Sequence, residues 1–387
     1  MDLSFILNEL GEDRENYFNA ISPPIIQSSN FSFKTVSDMR LAMSDEFEAN
    51  LYSRGQNPTV NILRKKLAAL DGAEDALLFN SGIGAISVAI LSLLKAGDHV
   101  ITVKAPYSWT GKLFDKFLPK FGITTTFING DDFSNFESAV LSQTRLIFLE
   151  SPNTLTYELQ DIKRVADFAK SRGIITMIDN SYCTPIFQQP IKMGIDLVAQ
   201  SATKYIGGHS DVVAGVLTGS KAMIRQIFNN EFMTLGPALP PNSAWLLLRG
   251  LRTLPLRLQR SFETTKIITA WLNNHNDVDK VLWPFSPGFE QADLARQQMQ
   301  GCGGLFSFTL KNSSFKKIEC FCNSLQHIII AVSWGGHESL VMPAIASITE
   351  KQYRSDNEYD QLVRIYIGLE DSTYLINDLE QALIRCR

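Results

Sequence analysis

One lysine, Lys204, stands where a polar segment follows a run of apolar residues. Residues 197–199 read Leu-Val-Ala, a run typical of a buried parallel strand, and Ser201 and Thr203 precede the lysine closely. Open α/β sheets bind their ligands at the carboxyl ends of such strands. A lysine amine that is desolvated among polar groups becomes a nucleophile towards carbonyl carbons. The pattern therefore favours a catalytic amine over the alternative of an ordinary surface lysine.

A second junction between a strand and a helix could bind an anion. Residues 76–79 form a short apolar run, Asn-Ser-Gly-Ile-Gly follows at 80–84, and an apolar helical segment comes next. The backbone N–H groups of Gly82 and Ile83 would lie unpaired at the start of that helix, where they attract negative charge. Many strand–turn–helix units share this pattern, so a simple tight connection is the alternative.

The segment SATKYIGGHSDVVAG, which contains Lys204, resembles the lysine segment of the Cys/Met-metabolism family of enzymes that use pyridoxal 5'-phosphate (PLP). The resemblance runs through nearly the whole chain from about residue 20, and it includes RGLRTLPLRL, GGLFSF, SWGGHESL and VRIYIGLED. It implies the aspartate-aminotransferase-like fold of type I PLP enzymes. It also implies an enzyme that makes or breaks C–S bonds in transsulfuration.

The resemblance assigns cofactor contacts to residues along the chain. Lys204 would carry PLP, Asp179 would keep its pyridine nitrogen protonated, and Tyr107 would stack on its ring and help to move protons. A helix or turn cap is the alternative for Asp179, and a surface loop residue is the alternative for Tyr107. The phosphate would be bound by residues from two subunits. Gly82, Ile83, Ser201 and Thr203 would come from the subunit that carries Lys204, and Tyr52 and Arg54 would come from its neighbour.

The resemblance also indicates how an amino-acid substrate would be bound. Arg364 would hold the α-carboxylate as a fork, and Ser333, Trp334 and Thr154 would make further contacts. No metal site is expected, because the pair Cys320 and Cys322 has the wrong spacing and no second ligand pair for zinc.

The cystathionine β-lyase branch of the family is the one that the chain resembles most, and Trp334 is its mark. We therefore predict α,β-elimination of L-cystathionine to homocysteine, pyruvate and ammonia, a step of methionine biosynthesis. Val332 and His337 depart from the β-lyase pattern. A γ-acting relative stays open: a methionine γ-lyase, a cystathionine γ-lyase or γ-synthase, or an O-acylhomoserine sulfhydrylase. A non-catalytic binding protein that keeps the fold is the alternative from another class.

The elements around these residues alternate between apolar strands and helical periods, which predicts an α/β fold with a mainly parallel sheet. The resemblance implies that this sheet is of the seven-stranded type. We predict three parts: an N-terminal arm against a neighbouring subunit at 1–55, a PLP-binding α/β domain at 56–250, and a smaller α+β domain at 251–387. The resemblance implies a homo-oligomer, a dimer with shared sites that doubles into a homotetramer. Gly207 and Gly208 are interpreted as a flexible end of the lysine segment.

Composition excludes several other classes of protein. The 387 residues are 45% hydrophobic and 20% charged with a formal net charge of −4, which gives no basic surface for nucleic acid or anionic membrane. The acidic opening stretch MDLSFILNELGEDREN predicts no secretory leader, so we expect a cytoplasmic protein. The five cysteines are odd in number and irregularly spaced, and we expect free thiols.

Overall fold

A computed structural model describes all 387 residues and contains two β-sheets. The larger sheet has seven strands in the order β1-β7-β6-β5-β4-β2-β3. Strand β7 runs antiparallel to both of its neighbours, and the remaining pairs are parallel. The strands are β1 Asp75–Phe79, β2 His99–Val103, β3 Thr124–Ile128, β4 Thr144–Glu150, β5 Ile175–Asp179, β6 Leu197–Gln200 and β7 Gly215–Gly219.

The smaller sheet has five strands in the order β10-β11-β12-β9-β8, and only β10 and β11 pair in parallel. These strands are β8 Val278–Leu282, β9 Leu305–Leu310, β10 Ile329–Ile330, β11 Leu340–Pro343 and β12 Val363–Tyr366. The two sheets lie on either side of residue 250 in the chain, where we placed the division between domains. The domain boundaries themselves stay a prediction.

Helices cover the sheets and form most of the connections. None of them is both long enough and apolar enough to span a membrane. The α-helices are α1 Leu3–Asn8, α2 Val36–Ser44, α3 Pro58–Asp71, α4 Gly82–Leu93, α5 Ser108–Lys112, α6 Ser134–Ala139, α7 Ile162–Ser171, α8 Thr184–Phe187, α9 Lys221–Ile227, α10 Met233–Leu235, α11 Pro241–Arg252, α12 Leu254–Asn273, α13 Ala292–Gln298, α14 Phe315–Ser324 and α15 Ser372–Arg385. Short 3₁₀ turns span Arg14–Tyr17, Leu118–Phe121, Pro190–Met193, Ala344–Ser347, Glu350–Gln352 and Glu358–Gln361, and π-helical turns span Leu113–Phe117 and Phe228–Phe232.

The inner strands of the larger sheet contain apolar runs because both faces of the sheet are covered there. In β4, Leu146 and Phe148 belong to the hydrophobic cluster on one face, and Ile147 and Leu149 belong to the cluster on the other. Successive side chains of a strand point to opposite faces, so each face needs its own apolar residues. The apolar runs therefore predict the buried parallel strands well.

The structure differs from the sequence analysis in two places near the lysine segment. Strand β7 was not predicted, because its sequence Gly-Val-Leu-Thr-Gly is short and bounded by glycines. Gly207 and Gly208 are buried rather than a flexible end. The Arg257 guanidinium packs beside them and donates a hydrogen bond to the Tyr205 carbonyl oxygen at 2.8 Å.

The prediction that all five cysteines are free thiols is wrong for two of them. Cys320 on α14 and Cys386 after α15 form a disulfide, with Cα atoms 5.9 Å apart. The two helices pack side by side, which brings together residues 66 positions apart in the chain. Cys183, Cys302 and Cys322 are free and buried.

A buried carboxyl joins helix α3 to the strands before and after the lysine turn, β6 and β7. Asp71 is fully buried, and its Oδ2 accepts hydrogen bonds from Gln200 Nε2 at 2.8 Å and from Thr218 Oγ1 at 2.7 Å. Burial raises the pKa of Asp71 to about 7, and the two hydrogen bonds oppose that rise only partly. The folded protein therefore keeps a proton on Asp71 under conditions in which the unfolded chain loses it.

We predict that Asp71→Asn gains stability relative to the wild type as the pH rises from about 4 to about 7. A raised folded-state pKa contributes stability that is complete below the unfolded value of 3.8 and is lost as the pH rises through about 7. The difference in unfolding free energy should grow by roughly 1.4 kcal/mol per pH unit in this window. Denaturant unfolding at several pH values measures it, with the exposed Asp167→Asn as the control. A difference that does not vary with pH would contradict a buried, protonated Asp71.

Candidate active site

The carboxyl ends of the parallel strands meet at one edge of the larger sheet. The pairing register places Glu150, the last residue of β4, beside Asp179, the last residue of β5, and it places Asp179 beside Ala199 of β6. The turn at residues 202–207, which follows β6, carries Lys204 to the same edge. The structure therefore brings Lys204 and Asp179 together, as the sequence predicts.

Lys204 is held by residues from the C-terminal part of the chain. Its Nζ donates a hydrogen bond to Ser333 Oγ at 2.5 Å, and it lies 5.4 Å from the centroid of the Trp334 ring. Burial, assisted by the Arg364 guanidinium, lowers the pKa of Lys204 to about 8, while the Asp179 carboxylate acts in the opposite direction. An amine with this pKa is about one-tenth unprotonated at pH 7, far more than an ordinary lysine, and the unprotonated form is the one that a nucleophile or general base requires.

Asp179 is held in place by Ser181, two residues further along the chain. Its Oδ1 accepts hydrogen bonds from the Ser181 backbone N–H at 2.9 Å and from Ser181 Oγ at 2.6 Å. Ser181 Oγ also accepts a hydrogen bond from the Ser201 N–H at 2.6 Å. Burial raises the pKa of Asp179, and the Ser181 bonds and the Lys204 amine oppose that rise. Ser181 thus ties the carboxyl to the lysine segment.

The segment from Ser333 to Gly335 closes against the lysine in an unusual backbone conformation. Ser333 has φ of 77° and Gly335 has φ of 91°. A Cβ atom on Gly335 would lie 2.9 Å from Lys204 Cα, so a side chain has no room there. Arg364, buried on β12, donates from Nη2 to the Ser333 carbonyl oxygen at 3.3 Å. Ser333, Trp334 and Arg364 therefore lie together at the lysine.

The Glu150 carboxyl holds the backbones of Tyr107 and Thr154 at the site. The Tyr107 backbone N–H donates to Glu150 Oε2 at 2.7 Å, and the Thr154 backbone also donates to this carboxyl. The Tyr107 side chain is 42% exposed. Burial of its hydroxyl and the nearby Asp179 carboxylate raise the pKa of Tyr107. The phenol therefore keeps its proton near neutral pH, and it lies at the open side of the site.

The predicted phosphate contacts at the start of α4 are only partly assembled. Ser201 lies against Gly82, where an added Cβ would come within 2.8 Å of Ser201 Cβ, so glycine is needed for this close approach. Gly82 and Ile83 are in the first turn of α4, where backbone N–H groups lack helical partners. Thr203 Oγ1 instead donates to the Ala214 carbonyl oxygen at 3.1 Å, so its hydroxyl is already engaged.

Tyr52 and Arg54 are not brought to Lys204 within one chain. Both side chains are exposed, and the Arg54 guanidinium carbon lies 5.4 Å from the centroid of the Tyr52 ring. Their assigned contact with phosphate therefore stays a prediction that requires a second subunit.

The residues of this edge fit PLP. Lys204 would supply the amine for its aldehyde, Asp179 would supply a carboxyl for its pyridine nitrogen, and the glycine turn at Gly82 would supply a narrow cradle of N–H donors beside the Ser201 hydroxyl. This donor set matches the aldehyde, the ring nitrogen and the phosphate of one molecule.

Glu150 and Ser181 are two residues of the site to which we assigned no role. Each has a local signal in the sequence, since Glu150 directly follows an apolar strand and Ser181 lies two residues after Asp179. Their partners, however, are set by strand register and by the fold of the lysine turn. Only the structure reveals those contacts.

We predict that the apoprotein captures PLP at a rate that rises with pH through about 8, because only the unprotonated Lys204 amine attacks the aldehyde. Arg364→Leu removes a neighbouring positive charge, so it should move the midpoint of this profile to higher pH. Stopped-flow absorbance measures the rate, and the exposed Arg354→Leu is the control. A midpoint at the ordinary lysine pKa in the wild type would contradict the desolvated amine.

Comparisons with known proteins agree with this site. Residues 6–384 match the sequence model of the family described as Cys/Met metabolism PLP-dependent enzyme. The chain is 36% identical to L-methionine γ-lyase of Pseudomonas putida over 96% of this chain and 95% of that one. It is 38% identical to the chloroplastic cystathionine γ-synthase 1 of Arabidopsis thaliana over 94% of this chain and 65% of that one.

The fold is also shared with a solved structure. The crystal structure of metB from Corynebacterium glutamicum superposes with a TM-score of 0.91 at 30% identity, covering 100% of this chain and 99% of that one. The predicted fold of type I PLP-dependent transferases, with a mixed seven-stranded sheet and a smaller second sheet, is thereby confirmed. The chain belongs to the Cys/Met metabolism family of PLP-dependent enzymes, and pyridoxal 5'-phosphate is its cofactor.

Proposed function

We propose that this enzyme acts at Cγ of a sulfur amino acid and eliminates its γ-substituent, giving α-ketobutyrate, ammonia and a thiol. The observation that carries the proposal is the identity of 36% with L-methionine γ-lyase along 96% of the chain. Cystathionine γ-synthase, at 38% identity, is named for a γ-type reaction, and O-succinylhomoserine sulfhydrylase, at 33%, is named for a substrate that carries its leaving group on Cγ. These similarities favour the γ-acting alternative over the predicted cystathionine β-lyase.

Elimination at Cγ requires a base that removes two protons in turn, the first from Cα and the second from Cβ. PLP, when bound, supplies the electron sink that makes the Cα proton removable. The Lys204 amine, with a pKa of about 8, is present in both protonation states near neutral pH. It can therefore take a proton and return it within one turnover. The hydrogen bond to Ser333 Oγ holds Nζ on the side of the Trp334 ring.

Two other side chains have roles that follow from their placement. Arg364 is buried beside Ser333 and can bind the substrate carboxylate by charge-assisted hydrogen bonds. Tyr107 lies at the open side of the site, and its raised pKa keeps the phenol protonated so that it can donate a proton to the departing thiolate. These roles stay proposals.

Cystathionine β-elimination is a second candidate, because of Trp334. This residue favours the β-lyase branch in the sequence, and its ring lies 5.4 Å from Lys204 Nζ, where it borders the reacting atoms. The two candidates require the same amine, carboxyl and arginine. They differ in the keto acid that they release.

We predict that the purified holoenzyme releases α-ketobutyrate from methionine or cystathionine, and that pyruvate is a minor product. Chromatographic separation of the two keto acids decides the reaction type, with Lys204→Ala as the inactive control. Pyruvate as the main product from cystathionine would support the β-lyase instead. A PLP-loaded protein that forms neither keto acid, and no thioether from O-succinylhomoserine and cysteine with release of succinate, would contradict enzymatic activity of this kind.

We further propose that the active site is completed by a second copy of the chain. The N-terminal segment leaves Phe18 fully exposed, and Val36 and Leu41 of α2 are 73% and 75% exposed. Apolar side chains in such numbers usually lie against another protein surface. Tyr52 and Arg54 belong to the same exposed region of the chain. A dimer in which this region covers the neighbour's site would bring Arg54 to the neighbour's phosphate.

Mixing two inactive variants tests this arrangement. Under subunit exchange, Arg54→Ala and Lys204→Ala should regain activity, because one of the two sites then combines an intact Lys204 with an intact Arg54 from the other chain. As a control, Lys204→Ala mixed with Asp179→Asn should regain none, since both residues serve the same chain's site. If mass measurement confirms exchange and the first mixture stays inactive, Arg54 serves its own chain.

A further inference from the structure

Two carboxyl groups lie side by side where β4 and β5 end. Glu150 and Asp179 are direct partners in the pairing register, so their side chains point to the same face of the sheet. Glu150 is only 6% exposed, and Asp179 is partly buried beside it. Two adjacent carboxyl groups that are shielded from water in this way cannot both ionise without a cost. One of them must therefore keep its proton, and the surroundings decide which.

The surroundings give the negative charge to Asp179. It has the two hydrogen bonds from Ser181 and the positive charge of Lys204 nearby. The titratable groups that face Glu150 are the Asp179 carboxyl and the phenols of Tyr107 and Tyr359, so no cation compensates its charge. Burial and then the Asp179 charge raise the pKa of Glu150 well above its ordinary value.

The carboxyl of Glu150 is nevertheless engaged, with the backbone of the loop that carries Tyr107. Oε2 accepts the Tyr107 N–H at 2.7 Å, and the Thr154 backbone donates to the same group. Tyr107 is the residue just before the short helix α5, and its own side chain makes no capping hydrogen bond there. The Glu150 carboxyl, at the end of β4, thus anchors this partly exposed loop to the sheet by hydrogen bonds.

We propose that Glu150 is a positioning residue that acts as an uncharged hydrogen-bond acceptor and holds Tyr107 over the site, leaving the negative charge to Asp179. The inference goes beyond the proposed reaction, because it concerns the placement of Tyr107 whichever bond is cleaved. It requires the acceptor oxygen of Glu150 but not its charge. Glutamine keeps such an oxygen, whereas methionine has a similar volume and no carbonyl.

Hydrogen exchange of the holoenzyme, resolved to the Tyr107 amide by overlapping peptides, tests the acceptor role independently of any substrate. The Tyr107 amide should exchange at the wild-type rate in Glu150→Gln and about tenfold faster in Glu150→Met, the factor that one hydrogen bond of ordinary strength supports. Equal protection in all three proteins, or equal loss in both variants, would overturn the proposal. Thermal unfolding shows whether each variant is folded. If Glu150→Met does not fold, loss of protection of the Tyr107 amide in Glu150→Gln overturns the proposal by itself.

Kinetics separate positioning from a direct role of the charge. With whichever substrate is turned over, Glu150→Gln should keep kcat within about threefold and the pH profile of the wild type, and Glu150→Met should lower kcat by about tenfold or more. In a Tyr107→Phe background, Glu150→Met should cost much less, because Glu150 acts through Tyr107. A shifted pH profile in Glu150→Gln, or fully additive losses in the double variant, would overturn the proposal. Failure to find a substrate would leave the exchange test to decide.

Discussion

The hydrogen bond from Lys204 Nζ to Ser333 Oγ, 2.5 Å long, joins the lysine turn of the larger sheet to the segment before β11 of the smaller one. The placement of the amine depends on this contact, because it holds Nζ beside the Trp334 ring in a largely buried position. A buried amine prefers to be neutral, which makes it reactive. The chemistry of the enzyme therefore requires both sheets to be folded and in contact.

Much of this arrangement could be predicted from the sequence, and the reason is the burial of the larger sheet on both faces. Strands β1 and β4 contain continuous apolar runs, at 76–79 and 146–149, so their carboxyl ends, and the polar residues that follow them, can be located directly. The position of Asp179 at the end of β5 followed from this pattern. Strand β7 could not be found in this way, because it is short, bounded by glycines and antiparallel.

Contacts between distant residues explain what the sequence could not provide. The disulfide partners Cys320 and Cys386 are 66 residues apart, and only the packing of two helices makes them neighbours. The reaction type was uncertain for a similar reason. The residues around the amine suit elimination at either carbon, whereas Val332, whose identity bears on the choice, is 75% exposed in the single chain. The prediction of a β-lyase rested on Trp334, and similarity along the whole chain favours γ-acting relatives instead.

The central claim is that Lys204, alone among the lysines, holds PLP. Borohydride reduction of the holoenzyme followed by peptide mapping with mass spectrometry tests it most directly, because reduction fixes the cofactor to the lysine that carries it. The account predicts a single modified peptide, the one that contains Lys204. Modification of another lysine, such as the buried Lys66, with Lys204 left unmodified, would contradict it.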